Sequence, residues 1–252
     1  MELKKRLLEG QVVLGTMVTL FDNPDIARIL KECGFDFFIV DCEHGYFDFS
    51  SVAGIISVAR GVEIPALVRI SDARREVILK YMEMGADGLL LPQAETVEQV
   101  KALVKYSKYK DLGNRGVSLT RPHTGFRKTK ASEYVRQANE ETMLLIQIES
   151  PEGVENVEDL LGVDGIDGAI IGPNDLTMSM GILGQRTHPE YTAAINRVIQ
   201  VANKKKKFSG IHLSSADEVK EMILRGMQMN LWSSDVGMLM SAARSGLEKL
   251  RT

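Results

Sequence analysis

Short apolar runs alternate with amphipathic segments along the whole chain. The apolar runs predict strands over 12–20, 35–41, 65–71, 88–92, 144–149, 166–172, 208–213 and 229–235. The amphipathic segments predict helices between them, among others over 24–33, 73–84, 96–107, 154–161, 190–204 and 216–225. A last helix is predicted over 238–251. Runs such as Phe37-Phe38-Ile39-Val40 and Ala169-Ile170-Ile171 are apolar at successive positions, which suits a parallel sheet covered on both faces. Eight such units predict an α/β fold, a closed (β/α)8 TIM barrel in which residues 1–252 form one domain. An open doubly wound sheet is the competing arrangement.

An internal echo accompanies the pattern. Gly34-Phe35-Asp36, Gly85-Ala86-Asp87 and Gly165-Ile166-Asp167 each end a helix and open a strand, and Gly226-Met227-Gln228 is a weaker fourth copy. These precede the second, fourth, sixth and eighth strands, and ordinary glycine capping explains them equally well. One segment lacks periodicity: 109–130 is rich in glycine and basic residues, and a loop of that length in a compact domain is usually functional. Lys204 to Lys207 reads as a solvated helix end.

Composition narrows the function classes. With 44% hydrophobic and 26% charged residues, the 252-residue chain buries a full core. A net charge of −3 offers no basic field for nucleic acid. The start of the chain carries no long apolar run, so neither a signal peptide nor a membrane span is expected. Cys33 and Cys42 show no metal-type spacing and fit a reducing, cytoplasmic setting.

The polar residues fall where a barrel places its chemistry, at the C-terminal ends of strands. Strand two ends in Asp41-Cys42-Glu43-His44 and strand three in Arg69. Strand five carries Gln147-Ile148-Glu149, and strand six runs into Gly172-Pro173-Asn174-Asp175. Glu149 and Asp175 are hard oxygen donors from neighbouring strands, a pair suited to Mg2+ or Mn2+ with positions left open. A surface or capping role for Glu149, and an N-cap role for Asp175, are the ordinary alternatives. Arg69 would be costly to bury without an anion, either a substrate oxygen or a structural carboxylate. His44 stands beside two carboxylates, the setting of a general base. His212, within strand seven, reads as a satisfied core imidazole.

Taken in order, Asp41-Cys42-Glu43-His44, Val68-Arg69, Leu91-Pro92, Arg115-Gly116, Gln147-Ile148-Glu149 and Gly172-Pro173-Asn174-Asp175-Leu176 resemble the HpcH/HpaI family of metal-dependent pyruvate aldolases. The resemblance implies a barrel whose last helix is exchanged between subunits of a homo-oligomer, a hexamer or trimer. It implies Glu149 and Asp175 as ligands of Mg2+ or Mn2+, with Co2+ also accepted. Arg69 would stabilise an enolate and His44 would be the base. Gln147 and the stretch Gly172, Pro173, Asn174 would contact the pyruvate part, and Asp41 would lie close by. Relatives carry an aspartate late in the third helix that raises the basicity of the histidine; Glu83 holds that place here. The implied reaction cleaves or forms a 4-hydroxy-2-oxo acid or 2-keto-3-deoxy sugar acid, giving pyruvate and an aldehyde through a metal-stabilised enolate.

Three alternatives stay open. An oxaloacetate decarboxylase would use the same enolate site. A CoA-ester lyase would need a nucleotide-binding surface, for which the sequence offers no evident feature. A non-catalytic metal- or ligand-binding barrel is the reading from another class. A Schiff-base aldolase is disfavoured because none of the strand ends offers a lysine. Arg121 and Arg127 are candidates to meet an acidic substrate tail or an adjacent subunit.

Overall fold

The computed structural model describes residues 2–251. Eight parallel strands close into a barrel in sequence order: β1 (Val13–Val18), β2 (Phe37–Asp41), β3 (Ala66–Arg69), β4 (Gly88–Leu91), β5 (Met143–Ile148), β6 (Gly168–Ile171), β7 (Phe208–Leu213) and β8 (Met229–Ser234). Val13 lies opposite Met229 and Gly15 opposite Leu231, so β8 returns to β1 and no open sheet edge remains among these strands. Around them run α1 (Glu2–Leu8), α2 (Ile26–Glu32), α3 (Phe49–Gly61), α4 (Arg75–Met84), α5 (Val97–Ser107) and α6 (Ala131–Glu141). The chain continues through α7 (Pro151–Glu155), α8 (Val157–Leu160), α9 (Pro173–Ser179), α10 (Pro189–Lys205), α11 (Ala216–Leu224) and α12 (Asp235–Arg251). The predicted helix over 154–161 is two short pieces, α7 and α8, meeting at Asn156, whose amide donates to the Glu95 carbonyl at 2.8 Å. Strand five stops one residue short of the prediction, leaving Glu149 just beyond the ladder.

Strand alternation divides the apolar residues into two cores. Phe37, Ile39, Leu67, Leu90, Leu145, Ile170 and Leu231 fill the barrel interior. Phe38, Val40, Val68, Ile146 and Ile171 face the helices instead. Gly15 is required inside: a Cβ there would run into the Phe37 ring. The interior is closed from below by α1, an element not foreseen in the pattern. Leu3 and Leu7 join the interior cluster, while Lys4 pairs with Asp167 at 2.7 Å and Arg6 with Asp36 at 2.6 Å.

The repeated Gly-x-Asp has a structural meaning. Gly34, Gly85, Gly165 and Gly226 all adopt positive φ, between 87° and 100°, the left-handed conformation glycine tolerates at a helix end. Each following Asp then clasps one residue of the preceding odd strand. Asp36 donates its N–H to the Leu14 carbonyl and accepts the Leu14 N–H on its carboxylate; Asp87 does the same with Ala66, and Asp167 with Leu144. Gln228 keeps only the backbone half, donating to Ser209 at 3.0 Å, which accounts for the weak fourth copy. These clasps lie at the N-terminal end of the barrel, the end that serves stability.

At the other end, Asp235 organises the mouth. Its buried carboxylate accepts from the backbone N–H groups of Thr19, Leu20, Phe21 and Val236 and from the Thr19 hydroxyl, at 2.7–3.0 Å. That ties the loop after β1 to the start of α12. Beyond Asp235 no described side chain of α12 is buried, and Leu239, Met240, Leu247 and Leu250 are exposed.

Candidate active site

In five of the eight strands the inward face carries apolar side chains up to the mouth and then turns polar. In β2 the series is Phe37, Ile39, Asp41; in β3, Leu67, Arg69; in β5, Met143, Leu145, Gln147. β7 contributes His212 two positions beyond Gly210, and β8 contributes Ser233 after Met229 and Leu231. These polar residues line one cavity of about 470 Å³ together with His44, Gly172, Pro173, Asn174 and Asp175.

Arg69 is gripped on three sides. Its Nε donates to Asp41 Oδ1 at 2.9 Å and its Nη2 to Asp41 Oδ2 at 2.6 Å, while Nη1 lies 3.1 Å from Glu43. Asp41 Oδ1 also accepts the N–H groups of Glu43 and His44, so it sets the turn that projects His44. Burial alone would raise the Asp41 pKa, but the Arg69 hydrogen bonds and charge outweigh it and the value is lowered. Glu43 goes the other way. Burial raises its pKa despite Arg69, whose Nη1 is ion-paired with the buried Oε2 without hydrogen-bond geometry. The His44 ring is mostly exposed, with Nε2 3.8 Å from Glu43.

Glu149 is buried beside this cluster. Oε1 accepts the Gln93 N–H at 2.7 Å, and Oε2 accepts from the Gln147 amide. Burial pushes its pKa up to about 7; the two hydrogen bonds oppose the rise, and the charges of Glu43 and Asp175 add to it. Gly172 makes room for the carboxylate, since a Cβ there would overlap Glu149 Oε2. The N-cap of α9 is Gly172, so neither Asn174 nor Asp175 is spent as a cap. Asn174 instead accepts from Arg186 at 3.1 Å, and the charge of the exposed Asp175 is felt by both Glu43 and Glu149.

Burial is the main cause of the raised Glu149 pKa, the charges of Glu43 and Asp175 add to it, and a divalent cation would offset that cost. Among the described residues no cluster of three or more His, Cys, Asp or Glu side chains is set to hold a metal. Glu149 and Asp175 are the carboxylates that could hold a hard cation, with water or substrate oxygens completing its shell.

The other expected residues are scattered. Glu83 ends α4, and helices that follow strands return to the opposite end of the barrel. Its carboxylate lies 2.9 Å from Arg115, 3.5 Å from His123 and 3.8 Å from Arg121, so the chain's own fold does not bring it to His44. Arg121 and Arg127 do not line the active cavity; besides Arg69, the arginine that does is Arg186. His212 is not fully satisfied either. Its Nε2 donates to the Ser233 carbonyl at 2.8 Å, which leaves Nδ1 as an acceptor. Burial lowers its pKa, so the neutral ring is favoured. Strand alternation was the signal for His212; nothing in the pattern pointed to Arg186, which sits in the turn between α9 and α10.

The fold is shared with known proteins. A profile of the HpcH/HpaI aldolase/citrate lyase family matches residues 17–242. The chain belongs to that family. The HpcH/HpaI aldolase from Desulfitobacterium hafniense DCB-2 superposes with a TM-score of 0.95 and 36% identity, covering 99% of this chain and 96% of that one. The 5-keto-4-deoxy-D-glucarate aldolase of Klebsiella pneumoniae is 32% identical over 241 residues, 96% of this chain and 93% of the relative. The hydroxypyruvate/pyruvate aldolase of Roseobacter denitrificans is 30% identical over 243 residues, 96% and 94% of the two chains. Membership of this family makes the protein a lyase-class enzyme, as the motifs implied. No described helix is long and apolar enough to cross a membrane.

Proposed function

We propose that the protein is a divalent-metal-dependent aldolase that cleaves a 4-hydroxy-2-oxo acid, or a 2-keto-3-deoxy sugar acid, to pyruvate and an aldehyde. The observation that carries this reading is the buried Glu149 carboxylate, which feels the charge of Asp175 and acts on the clamped Arg69. Glu149 and Asp175 would hold Mg2+, Mn2+ or Co2+, which supplies a Lewis acid for the charge that develops on the 2-oxo group.

The protein's own residues do the rest. His44, projected into the cavity by Asp41, takes the 4-hydroxyl proton directly or through a water. As the C3–C4 bond breaks, its electron pair moves toward the 2-oxo oxygen and the aldehyde leaves. Arg69 cannot swing away, because Asp41 holds two of its nitrogens. Its remaining N–H groups are preorganised for the developing enolate charge. Gln147 and the Gly172–Asn174 stretch line the cavity where the pyruvate part would sit.

A retro-aldol assay with pyruvate detection tests the reading. Chelator-treated enzyme is expected to be inactive on a panel of 4-hydroxy-2-oxo acids and 2-keto-3-deoxy sugar acids, and to recover with Mg2+, Mn2+ or Co2+. Full activity in chelator, or turnover of oxaloacetate alone, would overturn it.

The proposed enzyme is a homo-oligomer, hexamer or trimer, with α12 exchanged between subunits. The exposed apolar residues of α12 support this. Glu83 lies at the far end of its own barrel, so it could support a His44 only in another subunit. Chains carrying His44→Ala and chains carrying Glu83→Gln, each weakly active alone, are then expected to regain activity when dissociated and reassembled together. Additive rates in the mixture would leave Glu83 with a structural role only.

A further inference from the structure

The cavity has a second group of polar side chains that the steps above do not use. His212 and Arg186 line the same space as Arg69 and Asp175, accompanied by the hydroxyl-bearing Ser214, Ser233 and Ser234. His212 gives its Nε2 hydrogen to the Ser233 carbonyl, and no described residue donates to its Nδ1. An imidazole nitrogen in that state recognises an O–H. Arg186 is held from behind. Nη1 meets both Glu218 oxygens at 3.0 and 3.3 Å, and Nη2 meets Asn174 Oδ1 at 3.1 Å. A guanidinium carries five N–H donors, so Nε and part of Nη2 remain for a ligand. The side chain is about three-quarters buried, at 26% exposure, and Glu218 and Asn174 fix its direction. Arg69 cannot serve in its place, because Asp41 and Glu43 fix it and its remaining N–H groups are assigned to the enolate.

We infer that His212 and Arg186 form the subsite that selects the aldehyde half of the substrate, and that the preferred aldehyde carries a hydroxyl and a terminal carboxylate; this rests on the aldolase reading above. His212 Nδ1 accepts from the hydroxyl, and Arg186 donates to the carboxylate. A carboxylate fits better than a phosphate. Arg186 already shares its charge with Glu218, and a dianion would call for a second uncommitted cation on this wall, where the lining offers none.

The test is aldol addition to saturating pyruvate with matched aldehydes. Succinic semialdehyde against butanal reads the charge preference, and glycolaldehyde against acetaldehyde reads the hydroxyl. The native enzyme is expected to favour the acid by about thirtyfold in kcat/KM, the scale of a hydrogen bond to a charged group. Arg186→Gln should bring that ratio close to one. Glu218→Gln, which frees Arg186 from its counter-charge, should raise it; a merely structural role for the pair would lower the rates on both aldehydes in both variants and leave the ratio alone. His212→Leu should cut the hydroxyl ratio about tenfold while leaving the charge ratio in place. Unchanged ratios in the Arg186 and His212 variants, or a preference for glyceraldehyde 3-phosphate over succinic semialdehyde, would overturn the inference. Exchange of the pyruvate C3 protons in deuterated water, followed by NMR, needs no aldehyde. Its absence in the metal-loaded native enzyme would overturn the aldolase reading and this inference with it. Exchange with flat ratios would overturn the inference alone.

Discussion

Replacing Glu149 with glutamine is expected to abolish metal-dependent turnover, by about a thousandfold or more, and at the same time to stabilise the metal-free protein at alkaline pH. The second effect follows from the buried charge. The Glu149 pKa in the folded chain is about 7, against an ordinary value of 4.5. Between those two values the folded state holds a proton that the unfolded state has released. Stability from this group is therefore greatest below pH 4.5 and declines as pH rises to about 7. Above that window the ionised carboxylate costs roughly 3 kcal/mol in the metal-free protein. Glutamine removes the charge and still offers an oxygen to the Gln93 N–H. Melting curves in chelator at pH 8 should place the Gln variant above the native chain, with the gap closing toward pH 5. Adding Mn2+ should raise Tm for the native chain and leave the variant unmoved. A variant that melts lower at pH 8, or that responds to Mn2+ as the native chain does, would show that Glu149 is not a buried carboxylate awaiting a cation.

Much of this site was legible in one dimension, because a strand has a period of two. Once Phe37 and Ile39 are inside, Asp41 must be inside as well, and the same holds for Leu67 with Arg69 and for Leu145 with Gln147. The parallel barrel was legible from runs apolar at successive positions, since only a sheet covered on both faces needs them. Other features depend on which end of the barrel a residue reaches, and periodicity is silent on that. Glu83 is next to nothing catalytic in its own chain because α4 carries it to the far end. The loop 109–130 takes Arg121 to Glu83 rather than to the mouth. The α1 plug was hidden for another reason: Leu3 and Leu7 among lysines and arginine look like a short surface helix, and only the open bottom of a barrel makes them core. His212 reads in sequence as a satisfied core residue, although the alternation through Phe208 and Gly210 points it inward. A polar residue inside a strand carries no mark that tells a satisfied imidazole from a ligand.

Removing Arg69 tests whether the clamped guanidinium is a catalytic group or only a counter-charge. Arg69→Met leaves Asp41 and Glu43 buried with no cation between them, and uncompensated buried charge of this kind costs about 3–5 kcal/mol. The Asp41 pKa, now held low by Arg69, should rise, and the Glu43 carboxyl, already raised by burial, should rise further. The variant is therefore expected to unfold at lower denaturant, with the deficit shrinking as pH falls and both carboxyls protonate. Activity should fall as well, mainly in kcat, because the charge that Arg69 meets develops along the reaction coordinate. Lower activity alone does not separate a damaged fold from a missing donor. Asp41→Asn in the same chain does. Asparagine removes one uncompensated charge and can still accept the Glu43 and His44 N–H groups through its side-chain oxygen. The double variant should recover a large part of the lost stability and none of the lost kcat. Recovery of both would reduce Arg69 to a structural ion pair and return the stabilisation of the enolate to the other groups at the mouth.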